Sequence, residues 1–199
     1  MDKIKTCFKA KRLAIISLFV ALILSLFVLD TPKIVSNSDE TTFSAVRAAA
    51  HIAEISKEPH SYYDQVELER VRIYLEDTLT DYLGATNVTR YGYDLTTIKN
   101  TIDEDLPYPL VNIVGKLQGE TDDGIVIMAH YDSRGHIGRF GELGRSYGAM
   151  DDGYGVGTML ELAYLLRNLN PKNSVYFVFT DAEEVGLYGS NYASKILVY

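Results

Sequence analysis

Three short strings hold the side chains best able to do chemistry: His130-Tyr131-Asp132, Asp151-Asp152 and Asp181-Ala182-Glu183-Glu184. An imidazole two residues before a carboxylate can offer one ring nitrogen to a cation, while the carboxylate holds the other nitrogen and fixes the tautomer. Asp151 carries two oxygens and could bridge two ions. Adjacent Glu183 and Glu184 point different ways, so one can ligate while the other stays free. A free carboxylate beside a metal-bound water is a general base. Each string also has a plainer reading. A His-x-Asp after a strand is commonly structural, and acids before a helix cap it and complement its dipole. Together they are harder to dismiss, because clustered acids repel unless a cation holds them. A nitrogen and oxygen donor set without thiolate suits zinc, and admits manganese or cobalt.

The surrounding pattern predicts that the strings meet. Ile125–Ala129 is a continuous apolar run, as expected of a strand covered on both faces, and it ends in His130. Ser174–Phe179 is a second such strand and ends in Thr180-Asp181. Between them, a helix begins near Gly155, just after Asp151-Asp152. Its clearest stretch, Thr158–Leu169, carries Met159, Leu162, Ala163, Leu165, Leu166 and Leu169 at the spacing of one buried side, and Asn170-Pro171 stops it. Strand, helix and strand at this spacing form a crossover unit in a parallel or mixed sheet, whose sites lie beyond the carboxyl ends of the strands.

Upstream, Val111–Leu117 reads as a further strand, with Gln118–Gly124 as the turn that follows. Thr42–Lys57 reads as a helix with apolar positions at Phe43, Val46, Ala50 and Ala53. Ser61–Leu83 reads as another, with Val66, Val71, Ile73, Tyr74, Leu75 and Leu79 toward a core and Gly84 as its stop. Val88–Tyr93 is a short strand, and residues 95–109 end in a Leu106-Pro107-Tyr108-Pro109 loop. His51 and His60 are expected at the surface or at helix ends, and His136 in a loop. The glycines from Gly153 to Gly157 follow no strand and make a poor dinucleotide site. No G-x-S-x-G elbow is present.

The whole chain has 199 residues, 47% apolar and 23% charged, with one cysteine and a formal charge of −8. It is long enough for about one domain and too apolar for a disordered chain. A lone cysteine excludes a disulfide framework or a cysteine zinc cluster. The acidic balance argues against nucleic acid as a partner. Residues 1–12 are a basic tail with Lys3, Lys5, Lys9, Lys11 and Arg12, and residues 13–29 carry no charge. That pair reads as a cytoplasmic tail followed by a transmembrane signal-anchor, which sends the rest of the chain out of the cytoplasm. A cleaved signal peptide is the rival reading. Residues 30–41 read as a linker, 42–109 as a helical lead-in and 110–199 as an α/β domain.

His130-Tyr131-Asp132-Ser133, Gly148-Ala149-Met150-Asp151-Asp152-Gly153-Tyr154-Gly155 and Asp181-Ala182-Glu183-Glu184-Val185-Gly186-Leu187-Tyr188-Gly189-Ser190 resemble the M28 family of zinc exopeptidases. The likeness covers about residues 110–195 and is strongest to the membrane-bound branch. It implies a phosphorylase/hydrolase-like α/β/α sandwich with a mixed sheet and a co-catalytic pair of zinc ions. It also implies His130 on one zinc, Asp151 bridging both and Glu184 on the other. Glu183 would be the base that deprotonates the bridging water, Asp132 would orient His130, and Asp152 would shape the backbone beside Asp151. The family takes an acid and a histidine from further along, so residues 110–199 are expected to be the N-terminal part of a longer domain. The resulting expectation is a membrane-anchored zinc aminopeptidase acting on peptides outside the cytoplasm. The alternatives are a tethered, non-catalytic binding domain on the same fold and a plain surface-anchored structural protein. Oligomeric state and cleavage preference are not legible.

Overall fold

A computed structural model of the chain describes residues 2–28, 39–93, 108–135 and 145–196. Most of the expected linker 30–41 and of the 95–109 loop, together with His136, falls outside them. The chain divides into two units, Met1–Ile34 and Val35–Tyr199.

The first unit holds one helix, α1 (Asp2–Val28). Its basic residues are wound into the same helix as the apolar run. The uncharged run begins at Leu13 of this helix. No helix among the described residues is long and apolar enough to cross a membrane. The expected transmembrane segment 13–29 falls on this helix as far as Val28.

The second unit is a mixed α/β body. Helices α2 (Ala45–Ile55) and α3 (Gln65–Leu83) lead into β1 (Val88–Tyr93), β2 (Leu110–Leu117) and β3 (Thr121–His130). Then come α4 (Gly153–Leu166), β4 (Asn173–Thr180) and α5 (Tyr188–Ile196). The four strands form one sheet in the order β1-β2-β4-β3. The pairs β1·β2 and β2·β4 are antiparallel, whereas β3 and β4 run parallel and are joined by α4, the expected crossover. Alternation along β4 separates the two faces. Val175, Phe177 and Phe179 pack with Leu68, Val71, Leu75 and Leu79 of α3 and Val156 and Leu160 of α4. Val178, with Val114 of β2, packs against Ala193 of α5. The sheet therefore lies between helices, in three layers.

Several expectations shift. The turn before β3 is shorter than Gln118–Gly124, because β3 already pairs at Thr121, with a register irregularity between Thr121 and Gly124. β3 is not covered on both faces. Among the described residues it has a strand partner on one side only, and Ile125, Val126 and Met128 are exposed. Helix α4 starts earlier than the Thr158 stretch because Asp152 caps it, accepting the Gly155 amide at 3.0 Å. Leu169 lies beyond its end and is exposed. On α2 the buried positions are Ala48 and Ile55, while Phe43 and Val46 face out. Gly157 of α4 explains that rotation: a Cβ there would meet the Ala48 carbonyl oxygen at 2.7 Å, so α4 is in near-backbone contact with the Ala48 face of α2. On α3 the core stripe is Leu68, Val71, Arg72, Leu75 and Leu79, whereas Val66 and Ile73 are exposed.

Candidate metal centre

Parallel pairing puts the carboxyl ends of β3 and β4 side by side, with His130 opposite Thr180 in the register. The crossover returns from that edge, so the residues before α4 start there too. The three strings thus leave the sheet at one edge. The His130 ring nitrogen Nδ1 lies 3.0 Å from the backbone oxygen of Asp132, and its Nε2 lies 3.2 Å from Asp151 Oδ1. Glu183 Oε2 is 3.9 Å from the same Nε2. A carbonyl oxygen can only accept, so Nδ1 carries a proton and donates, which leaves Nε2 as the nitrogen that faces Asp151.

Asp132 does more than the role expected of it. Its side chain is fully buried, with Oδ1 3.5 Å from His130 Nδ1. The carboxylate also accepts two backbone amides, Glu183 N–H on Oδ1 at 3.0 Å and Glu184 N–H on Oδ2 at 3.1 Å. His130 is thus held by the Asp132 backbone with the carboxylate close by, and the same carboxylate orients the glutamate pair. Between the pair and β4, Ala182 has φ 55°, a left-handed conformation disfavoured for a residue with a Cβ. The two amides tied to Asp132 hold the chain through that reversal.

Burial alone would lower the His130 pKa; its contacts with Asp132 and the Glu183 charge outweigh this and push it up to about 9. The Glu184 carboxyl is raised, first by burial and then by the nearby Asp151 charge, with Arg134 opposing. Arg134 Nε lies 3.6 Å from Glu184 Oε2. Asp151 is the open member of the set, its side chain 75% exposed. The Asp151-Asp152 peptide is cis, and Asp152 serves as the cap of α4.

The donor chemistry suits zinc in part. Nitrogen and oxygen ligands at ~2.0–2.1 Å on a tetrahedral ion stand about 3.3 Å apart, and His130 Nε2 and Asp151 Oδ1 stand 3.2 Å apart. The structure brings His130, Asp151 and Glu183 together and leaves the Glu184 carboxylate beside Arg134. Among the described residues, no group of three or more His, Cys, Asp or Glu side chains is gathered closely enough to hold a metal ion.

Residues 112–197 match the model of Peptidase family M28. These residues belong to that family. The M28 segment has relatives among curated proteins. A vacuolar membrane protease of Candida glabrata is 28% identical over 207 residues, covering 94% of this chain and 20% of the relative. One of Schizosaccharomyces pombe is 32% identical over 152 residues, covering 72% of this chain and 17% of the relative. The chain thus spans about a fifth of the length of these relatives. Two solved structures from Bacteroides thetaiotaomicron share the M28 segment's fold, each at 25% identity and a TM-score of 0.65. One is a glutaminyl cyclase bound to N-acetylhistamine, covering 78% of this chain and 57% of that one. The other is a leucine aminopeptidase precursor, covering 79% and 58%.

Beside the M28 strings stand residues that sequence reading passed over. Asp181 is not at the open edge with Glu183 and Glu184: it is fully buried and bonded to Arg72 of α3 at 2.6 Å. Arg72 sits within the apolar stripe of Leu68, Leu75 and Leu79, and a guanidinium at that spacing was the available signal. His60 is buried rather than at the surface, with its backbone amide on Ser133 Oγ at 3.0 Å and its ring against Gly148. His51 is half-buried, 2.6 Å from the Tyr74 hydroxyl.

Proposed function

We propose that the chain carries the N-terminal part of a zinc-dependent exopeptidase site, of the aminopeptidase kind. In this reading His130, Asp151 and Glu184 are the zinc ligands, with Asp151 shared between two ions in the complete domain. Zinc bound there supplies a Lewis acid and an acidified water. Glu183 is the general base and takes a proton from the attacking water. Asp132 fixes Glu183 and Glu184 through their amides. The observation that carries the reading is the 3.2 Å approach of His130 Nε2 to Asp151 Oδ1, with Nδ1 tied to the Asp132 backbone. Glu183 stands at the same nitrogen and keeps its side chain about one-third exposed, within reach of a substrate. The acidic rim suits capture of a peptide's α-ammonium, which favours trimming from the N-terminus.

A fold shared with both a cyclase and an aminopeptidase does not choose between them. The protease names of the sequence relatives favour hydrolysis. Their names also support a membrane location. The basic tail and residues 13–29 would hold the chain there, with the α/β body on the far side from the tail.

Glu183→Gln tests the base. At equal zinc content it should lose at least about a hundredfold in peptide hydrolysis, the usual scale of general base catalysis. Unchanged hydrolysis would remove Glu183 from that role. The pairing of Glu184 with Arg134 favours a second reading, a membrane-tethered binding domain without catalysis. Zinc uptake by the wild-type chain that is lost in His130→Ala contradicts that second reading, and no uptake supports it.

A further inference from the structure

The two arms that bear the candidate ligands are not held only by the sheet. The Arg72 guanidinium, its side chain 4% exposed, donates from Nε to the Tyr131 hydroxyl at 2.8 Å and from a terminal nitrogen to Asp181 Oδ2 at 2.6 Å. Tyr131 directly follows His130 on the β3 arm, and Asp181 lies two residues before Glu183 on the β4 arm. Both acceptors are further tied to Val111 at the start of β2. The Tyr131 hydroxyl donates to the Val111 carbonyl at 2.6 Å, and the Val111 amide donates to Asp181 Oδ2 at 3.0 Å. The Asp181 backbone is fixed in turn, its amide on Asn112 Oδ1 and its carbonyl under the Gly189 amide. The remaining oxygen, Asp181 Oδ1, is buried without a hydrogen-bond partner.

We propose that Arg72 is a positioning residue that sets the spacing between the His130 arm and the Glu183-Glu184 arm by bonding Tyr131 and Asp181 at once. The inference rests on the metal reading above for its purpose but on these hydrogen bonds alone for its mechanics. Strand alternation makes it work: His130 faces the site, so Tyr131 faces the opposite way, into the core, where α3 can reach it. A fork of donors is required. A lysine ammonium keeps the charge but, as a compact point donor, cannot replace two donors fixed in one plane. The ion pair is also expensive to break, since removing one partner strands a charge in the interior. The third contact, from Arg72 to Glu69 at 3.1 Å, lies at the surface and touches neither arm, so it serves as the control.

Backbone hydrogen exchange of the metal-free chain tests the mechanics. Arg72→Lys should speed exchange at the amides of Tyr131, Glu183 and Glu184 by at least about tenfold, while the β2–β4 ladder stays protected. Glu69→Gln should change none of these. If Arg72→Lys does not fold, Tyr131→Phe carries the test. It keeps the guanidinium and the ring but removes the shared hydroxyl, and it should loosen the same amides. Unchanged protection in the folded variant overturns the inference. Cobalt(II) titration, read by its visible absorption, tests the purpose. Wild type should show a saturating band that shifts, or needs at least tenfold more cobalt, in Arg72→Lys. A wild-type chain with no cobalt band overturns the metal reading, while the exchange result still decides whether Arg72 holds the arms. A band identical in both proteins overturns the positioning role at the site.

Discussion

The carboxylate of Asp132 accepts the backbone amide of Glu183 at 3.0 Å, and its second oxygen accepts the amide of Glu184 at 3.1 Å. A residue on the β3 arm thereby fixes both glutamates on the β4 arm without touching either side chain. Asp132→Asn keeps the shape but exchanges one accepting oxygen for an NH2 group. One buried amide then loses its acceptor, at a cost of about 1–3 kcal/mol. Urea unfolding should show that loss, and any hydrolysis should fall with it. Wild-type stability in Asp132→Asn would mean that the two amides find other acceptors.

The contact of α2 with α4 depends on a missing side chain. A Cβ at Gly157 would meet the Ala48 carbonyl oxygen at 2.7 Å and Ile52 Cγ1 at 2.7 Å. Alanine favours a helix interior over glycine by roughly 1 kcal/mol, but overpacking against backbone costs about 1–3 kcal/mol. Gly157→Ala should therefore destabilise, as read from the urea midpoint. Gly92→Ala on β1 is the control, because nothing lies within 4 Å of its Cβ position. It should be neutral or slightly stabilising.

His60 gives a pH signature separate from the metal site. Burial, as the largest influence, lowers its pKa from 6.5. A histidine kept neutral in the folded state contributes stability that is present above the unfolded pKa and is lost as pH falls through the folded pKa. Stability should therefore decline as pH drops below about 6.5, and His60→Gln should flatten that decline. A slope unchanged by the substitution would show that His60 is not its source.

Much of this was legible from residue pattern, for physical reasons. The apolar runs leading to His130 and Thr180 and the helix between them fix a parallel crossover, and parallel strands deliver their ends to one edge. The strand at Val88–Tyr93 and the stop at Gly84 follow equally local signals. Contacts decided by distant partners were not legible. The buried side of α2 depends on a glycine on α4, more than a hundred residues away in the chain. The exposure of β3 depends on which strand lies beside it, which periodicity does not encode. Asp181 looks like one more acid of the cluster until Arg72 claims it. The resemblance paired Asp132 with His130, but a motif does not report every contact a residue makes: the Asp132 carboxylate also takes the amides of both glutamates.

The claim on which the functional reading stands is that His130 and Asp151 share one cation. A zinc-edge anomalous difference map from crystals of the chain grown with zinc addresses it directly. The expected result is a peak about 2.0–2.2 Å from both His130 Nε2 and a carboxylate oxygen of Asp151. Zinc bound only elsewhere, with the His130–Asp151 pair still in direct contact, would contradict it.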